Sequence, residues 1–271
     1  PPHAAETRQN SARRTLQPVL ADYMMVTAHL DILVDPAISQ HFLIVSIEGT
    51  QAQSGIMQDK LRRLVADALA AIRMATTSRI SIVGPRIVCD GPNGGGGLLS
   101  GPVPEVESMS QRPVHIASAK NVNRARRLLR SLVANPELEV VVRRLNLGAG
   151  RLSIEDELVD LVIGLEGLYL DRAQGEMNYR LKLRCAHHLG KTYKERKEIF
   201  DKVGDLYKIR GNIVHANSSS LEEAARKTQF KANPRGALDC AESLLSQGLH
   251  RVLIESNARD RIEYFERFVL S

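Results

Sequence analysis

Apolar residues recur at helical spacing from Asn121 onward, and this pattern constrains the fold more than any other feature of the sequence. One stripe consists of Leu158, Leu161, Val162, Leu165 and Leu168. Ser153 and Asp156 have the spacing of a capping box at the start of that helix, which is predicted to end near Leu170. Further helices are predicted over 121–134, 137–146, 176–189, 193–215 and, as a short helix and two longer ones, between 220 and 271. The pattern therefore predicts a mainly α fold in which residues 121–271 form a helical bundle.

The first 120 residues have a mixed pattern that predicts a smaller α/β region with helices and a few short strands. Helical spacing is loose over 15–34 and clear over 56–75, whereas 41–47 fits either a buried strand or the start of a helix. A glycine-rich loop is predicted over 91–104. Its glycine run lacks the Gly-Lys-Ser/Thr ending of a P-loop and the spacing of a dinucleotide turn. We place the domain boundary after residue 120 and expect the first region to bind a regulatory protein or ligand.

Composition and cysteine spacing exclude several classes of protein. The cysteines Cys89, Cys185 and Cys240 are far apart, so a disulfide framework and a cysteine-rich zinc module are excluded. This usage predicts a reducing, cytoplasmic location. No apolar run approaches the roughly 18 residues that span a bilayer, so no membrane partner is expected. The chain opens Pro-Pro-His without an initiator methionine, as expected of a piece of a longer protein.

The charge balance permits a polyanionic partner without requiring one. The chain has 37 basic and 31 acidic residues, a net charge of +6, and 27 of its basic residues are arginine. The planar arginine fork matches phosphate better than the point charge of lysine does. The basic run 124–130 is interpreted either as a solvated helix face or as a surface that attracts RNA.

The helix predicted over 193–215 contains a local conflict. Its apolar stripe is formed by Ile199, Val203, Leu206, Ile209 and Ile213. At about 100° per residue, Arg210 falls within this stripe. A charged guanidinium facing the core is costly unless a counter-ion or a charged ligand reaches it. Gly211, which lowers helix stability, and then His215 follow Arg210, so the segment is a candidate functional site.

Three ordered blocks of sequence resemble the Apea-like branch of the HEPN superfamily. They are RLSIEDELVDLVIGLEGLYL, YRLKLRCAHHLG and ERKEIFDKVGDLYKIRGNIVHAN, and the resemblance covers about residues 140–255. The first contains a Leu-Glu-x-Leu step at 165–168, and the third contains Leu-Tyr-x-x-Arg-x-x-x-x-His at 206–215. The resemblance implies a helical bundle that forms homodimers and cleaves RNA without a metal or other cofactor. It places the catalytic pair on Arg210 and His215. Many relatives have a polar residue where this chain has Gly211.

The chemistry implied by the resemblance needs a base and a cation. Histidine suits proton transfer from the RNA 2′-hydroxyl because its ordinary pKa lies near 6.5. Arginine can donate two parallel hydrogen bonds to the phosphate. Because Arg210 and His215 are about 140° apart on one helix, we expect a composite site at a homodimer interface. Supporting residues are expected at Glu166, as the ion-pair partner of Arg210, and at Asn212 and Tyr207.

Structural interpretations of the same residues remain open. His215 is also typical of a polar residue at the end of a helix, where it interacts favourably with the helix dipole. Arg210 can equally form a buried ion pair with Glu166 that has no chemical role. Tyr207 fits a packing role, and the adjacent His187 and His188 cannot place both rings on one face to hold a metal. The leading hypothesis is an endoribonuclease acting as a toxin or antiviral-defence effector. The alternative is a non-catalytic module for dimerisation, RNA binding or sensing.

Overall fold

The computed structural model describes a mainly α-helical protein. Its described residues are 29–35, 40–46, 54–76, 86–90, 96–100, 119–148, 151, 153–170, 175–215, 220–255 and 260–270. The chain divides into two compact units, Pro1–Ala66 and Asp67–Ser271. The mainly α fold expected from the sequence is confirmed. A boundary after residue 120 stays a prediction, because 101–118 lie outside the described residues.

Two antiparallel strand pairs are described, one before and one after the helix Ser54–Thr76 in the sequence. In the first, β1 (His29–Asp35) pairs with β2 (Gln40–Ser46), and in the second, β3 (Arg86–Asp90) pairs with β4 (Gly96–Ser100). The expected helix over 15–34 is therefore wrong from His29 onward, where the residues form a strand instead. Strand β4 also lies inside the predicted loop 91–104. That residues 1–120 form one mixed α/β region stays a prediction.

Nine α-helices are described. They are α1 (Ser54–Thr76), α2 (Ala119–Ala134), α3 (Glu139–Gly148), α4 (Ile154–Tyr169), α5 (Met177–Leu189), α6 (Tyr193–Val214), α7 (Leu221–Ala225), α8 (Arg235–Glu255) and α9 (Arg261–Leu270). Short 3-10 segments occur at Pro136–Leu138 and Gln229–Ala232. None of the described helices is long and apolar enough to cross a membrane.

The helix starts follow from side-chain capping. The Ser153 hydroxyl accepts a hydrogen bond from the Asp156 amide, as predicted. A complete capping box, which the sequence pattern did not reveal to us, joins Thr192 and Glu195 at the start of α6. The caps fix α4 and α6, which carry the candidate site.

Helix α4 lies at the centre of the second unit and packs against α3, α6 and α8. Its predicted stripe is confirmed, because Leu158, Leu161, Val162, Leu165 and Leu168 are all buried. Gly248 of α8 lies against Leu168 and Tyr169, where a Cβ atom would be 2.9 Å from Leu168 Cδ2. The absence of a side chain at Gly248 therefore lets α8 approach α4 closely.

The last helix, α9, is fixed to the end of α4 by polar contacts. Arg261 donates hydrogen bonds to the carbonyls of Leu168 (Nε–O 3.2 Å) and Gly167 (Nη2–O 3.3 Å). Buried Arg184 of α5 pairs with Glu266 of α9 (Nη2–Oε1 3.0 Å). The hydrogen bonds from Arg261 satisfy carbonyls that the end of α4 leaves free.

Candidate active site

Arg210 lies at the edge of the core-facing side of α6. Val203, Leu206 and Ile209 are fully buried, as the helical stripe predicts. The Arg210 side chain is only 23% exposed, so its guanidinium has lost most of its contact with water. A cation in this position requires a partner.

That partner is Glu166 of α4, as expected from the sequence. Arg210 Nη2 and Glu166 Oε2 are 3.5 Å apart, and the Glu166 side chain is 16% exposed. The pair therefore links α4 to α6 in a half-buried setting where charges are screened less than at the surface.

The ion pair leaves two polar atoms unsatisfied. Glu166 Oε1 and Arg210 Nε are both buried and have no hydrogen-bond partner among the described residues. Buried polar atoms are nearly always paired, since an unpaired one costs about 1–3 kcal/mol. The pair therefore leaves one acceptor and one donor unmet among the described residues, and a small polar molecule such as water would satisfy either of them.

Burial raises the pKa of the Glu166 carboxyl above its ordinary value of 4.5, and the nearby Arg210 charge opposes that rise. The balance shows that Arg210 compensates only part of the cost of burying the carboxylate. Glu166 is thus held in a setting that disfavours its charged form.

We expect Glu166→Gln to change how stability depends on pH. A carboxyl whose pKa is raised on folding contributes stability that is present below its unfolded pKa and is lost as pH rises through its folded pKa. The free energy of unfolding of the wild type, relative to Glu166→Gln, should therefore fall as the pH rises above the ordinary carboxyl pKa of 4.5. Urea denaturation of both proteins across this range measures the difference.

Glu198→Gln is a matched control with the opposite sign. Glu198 is exposed, and its hydrogen bond from Lys202 lowers the pKa of its carboxyl. The stability it contributes is present above the unfolded pKa and is lost as pH falls through the folded pKa. Parallel pH curves for the wild type and Glu166→Gln would contradict the account of Glu166.

Tyr207 packs beside the guanidinium. Its ring centroid is 5.9 Å from Arg210 Cζ, a distance at which a cation is attracted to the face of an aromatic ring. The side chain is half-buried. This contact supports a positioning role for Tyr207 and agrees with the packing interpretation.

His215 ends α6 and is exposed. Its backbone amide donates to the Gly211 carbonyl (N–O 3.0 Å), whereas its imidazole makes no hydrogen bond with any described residue. The helical twist turns His215 about 140° away from Arg210. The fold therefore brings Glu166, Arg210 and Tyr207 together, and leaves His215 apart from them within one chain.

Asn212 has a structural contact that the sequence did not lead us to expect. Its Nδ2 donates to the Ala224 carbonyl of α7 at 3.2 Å. Glu155 of α4 holds the start of the same short helix, since its Oε1 accepts from the Leu221 amide at 3.0 Å. Asn212 and Glu155 thus fix α7, where the described chain resumes after His215.

An open groove between α5 and α6 lies beside the candidate site, and it was not predicted from the sequence. Its volume is about 650 Å³, and its lining includes Tyr207, Gly204 and Gly211. A Cβ atom added to Gly211 would meet no atom within 4 Å. The two glycines are seven residues apart and therefore lie on one face of α6. That spacing is the feature of the sequence from which the groove could have been predicted. Gly211 therefore leaves open a part of the groove that lies about 100° around α6 from Arg210.

The other titratable groups near the core carry no chemistry of this kind. His188 is buried against Tyr169 (Nδ1–Oη 2.9 Å), and burial lowers the pKa of His188 to about 4. Burial raises the pKa of Cys185 to about 12 and that of Cys240 to about 11, so both remain thiols at neutral pH. Within the described part of the chain, no group of three or more His, Cys, Asp or Glu side chains is arranged to hold a metal ion.

No protein-family model, curated protein or solved structure matches this chain. The candidate function therefore depends on the residues of the site themselves.

Proposed function

We propose that the chain is a metal-independent endoribonuclease whose site contains Arg210 and His215. The observation that carries the proposal is the incomplete pairing of Arg210, whose buried Nε has no described partner although its Nη2 contacts Glu166. Once the guanidinium turns outward from its buried position, a phosphate oxygen would satisfy the free N–H in the way that arginine commonly binds phosphate. The open space at Gly211 lies on the neighbouring face of α6, beside Tyr207.

The proposed reaction is an internal transesterification. His215 takes the proton from the 2′-hydroxyl, whose oxygen then attacks the adjacent phosphorus. Arg210 stabilises the charge that develops on the phosphorane oxygens. The bond to the 5′-oxygen breaks, the leaving oxygen takes up a proton from water, and His215 returns its proton to the solvent. The products are a 2′,3′-cyclic phosphate and a 5′-hydroxyl end.

Glu166 acts as a positioning residue in this scheme. It holds the guanidinium from the side of α4, and its carboxylate is itself poorly solvated. Arg210 is therefore restrained before substrate binds, which lowers the entropy lost on forming the complex. The Tyr207 ring restricts the movement of the guanidinium from the neighbouring face of α6.

The site is proposed to be shared between two copies of the chain. Arg210 and His215 point about 140° apart and differ by about 7.5 Å along the axis of α6. Twofold symmetry would place the arginine of one copy near the histidine of the other. The role as a toxin or antiviral-defence effector extends the resemblance to the Apea-like HEPN branch.

Complementation between two inactive variants tests the shared site. Equal amounts of Arg210→Ala and His215→Ala protein should regain about a quarter of wild-type cleavage after mixing, because half of the dimers are mixed and each has one intact arginine–histidine pair. Cleavage of a labelled RNA in EDTA is the measurement. Wild-type activity together with no recovery in the mixture, after exchange of subunits is verified, would show that each pair belongs to a single chain.

A second candidate is a non-catalytic module that uses the same surface for dimerisation or RNA binding. It is favoured by the contact between Arg210 and Glu166, which already gives the cation a structural role. In this case Arg210→Ala would weaken binding or dimerisation, and no cleaved RNA would form at any pH.

A further inference from the structure

Helix α2 carries a concentration of positive charge. Its 16 residues include Lys120, Arg124, Arg126, Arg127 and Arg130 and no acidic residue. Like charges three or four residues apart repel one another and destabilise a helix. The arrangement therefore lowers helix stability unless an external anion compensates it.

The charges lie opposite the buried side of the helix. Leu128, Leu129 and Leu132 are buried in the bundle, whereas Lys120, Arg127 and Arg130 are exposed. At about 100° per residue, the three exposed cations fall on one face of α2, within a sector of about 80°. We refer to Lys120, Arg127 and Arg130 as the basic face.

The basic face is not neutralised within the described part of the chain. None of its three side chains makes an ion pair or hydrogen bond with a described residue. The neighbouring Arg124 differs, because its Nη2 contacts His250 Nε2 of α8 at 2.9 Å. Burial, and then the charge of Arg124, lower the pKa of His250. Arg124 thus attaches α2 to α8 while the basic face remains open to an anion.

We propose that the basic face binds the phosphate backbone of RNA. This inference deepens the proposed function, on which it rests. It assigns a second surface, separate from the Arg210 site, that binds the backbone of the substrate. Lys120 and Arg130 are separated by about 15 Å along the axis, so the face presents cations at several successive levels to a repeating anion. Arg127 and Arg130 can each grip a phosphate with two hydrogen bonds.

The chemistry of the face favours a nucleic acid over a lipid surface. Helices that lie on membranes insert an apolar side between the headgroups. The apolar side of α2 is buried in the bundle, and the exposed large apolar residues of the described chain include none from α2. The face therefore offers charge without an apolar anchor, as backbone contacts to RNA do.

RNA binding by an Arg127→Ala/Arg130→Ala double variant tests the surface. The ligand is a fluorescent 20-nucleotide RNA with 2′-O-methyl groups, which cannot undergo attack by the 2′-oxygen. We expect Kd to rise about tenfold at 0.1 M salt, and the slope of log K against log salt to fall by about 1.4, or 0.7 for each phosphate that is no longer neutralised. An Arg127→Lys/Arg130→Lys variant should keep most of the affinity.

Arg226→Ala/Arg235→Ala is the matched control. Both arginines are exposed and make no ion pair or side-chain hydrogen bond with a described residue. The control also removes two positive charges, so the change in net charge is the same. The control should bind like the wild type, apart from a small effect of net charge. Equal loss in both double variants would overturn the assignment to α2, as would unchanged binding in Arg127→Ala/Arg130→Ala. Circular dichroism verifies that each variant is folded.

The binding assay separates this inference from the proposed catalysis. Loss of binding in the α2 variant, with no cleavage of unmodified RNA by the wild type, would support the surface and reject the nuclease. Cleavage with unchanged binding in the variant would support the nuclease and reject the surface. Binding to vesicles containing phosphatidylserine, with no binding to RNA, would also reject the surface.

Discussion

Arg210→Ala and His215→Ala should each lower the rate of RNA cleavage in EDTA by at least about 100-fold, because a positioned base and a charge-stabilising donor each contribute factors of this size or larger. In the proposed reaction, the two side chains act on different atoms of the same linkage. The measurement follows a labelled RNA incubated with the purified 271-residue chain. The expected ends are a 2′,3′-cyclic phosphate and a 5′-hydroxyl.

Two further variants distinguish loss of chemistry from loss of charge or fold. Arg210→Lys keeps the positive charge but lacks the planar fork, so we expect partial activity. Arg226→Ala removes an exposed arginine outside the site and should cleave like the wild type. Cleavage that requires Mg²⁺, or that persists in both Arg210→Ala and His215→Ala, would reject the proposed site.

Gly248→Ala should lower the free energy of unfolding by about 2 kcal/mol, because overpacking a tight core costs about 1–3 kcal/mol. The new methyl group would meet Tyr169 Oη and would lie 3.1 Å from Tyr169 Cζ. Tyr169 cannot easily move, because it is fully buried and its hydroxyl is paired with His188 Nδ1. The thermal midpoint should fall by about 5 °C.

Gly211→Ala is the matched substitution with the opposite expected sign. Position 211 is also helical, but an added Cβ would meet no atom within 4 Å. The gain in helix propensity, about 0.5–1 kcal/mol, should therefore appear as increased stability. Urea unfolding of both variants gives the comparison, and similar losses for Gly248→Ala and Gly211→Ala would contradict the packing described for α4 and α8.

The helices of the second unit were predictable because their periodicity and caps agree. Leucines at helical spacing in α4 are buried as expected, and Ser153 caps that helix. The segment at 29–35 was misjudged because a short apolar run fits a helix or a strand equally well until pairing with β2 decides between them. Pairing between strands is a non-local property that a single stretch of sequence does not contain.

The candidate site was predictable only in part. A cation within an apolar stripe requires a counter-ion, and the resemblance, which places Glu166 on the other signature helix, supplied the candidate that contacts Arg210. Nothing in the local pattern indicated that Asn212 would bond to Ala224, because that contact depends on how α7 packs beside α6. The unpaired atoms of the Glu166–Arg210 pair likewise follow from tertiary packing.

The anchoring of α9 links the far end of the described chain to the acid beside Arg210. Arg261 grips the carbonyls of Gly167 and Leu168, the two residues directly after Glu166. A partner or fusion that moved α9 away would remove these hydrogen bonds and loosen the last turn of α4. The position of Glu166, which pairs with the Arg210 guanidinium, would then be less restrained. Control of the site could thus be exercised remotely, by mechanical release of one helix.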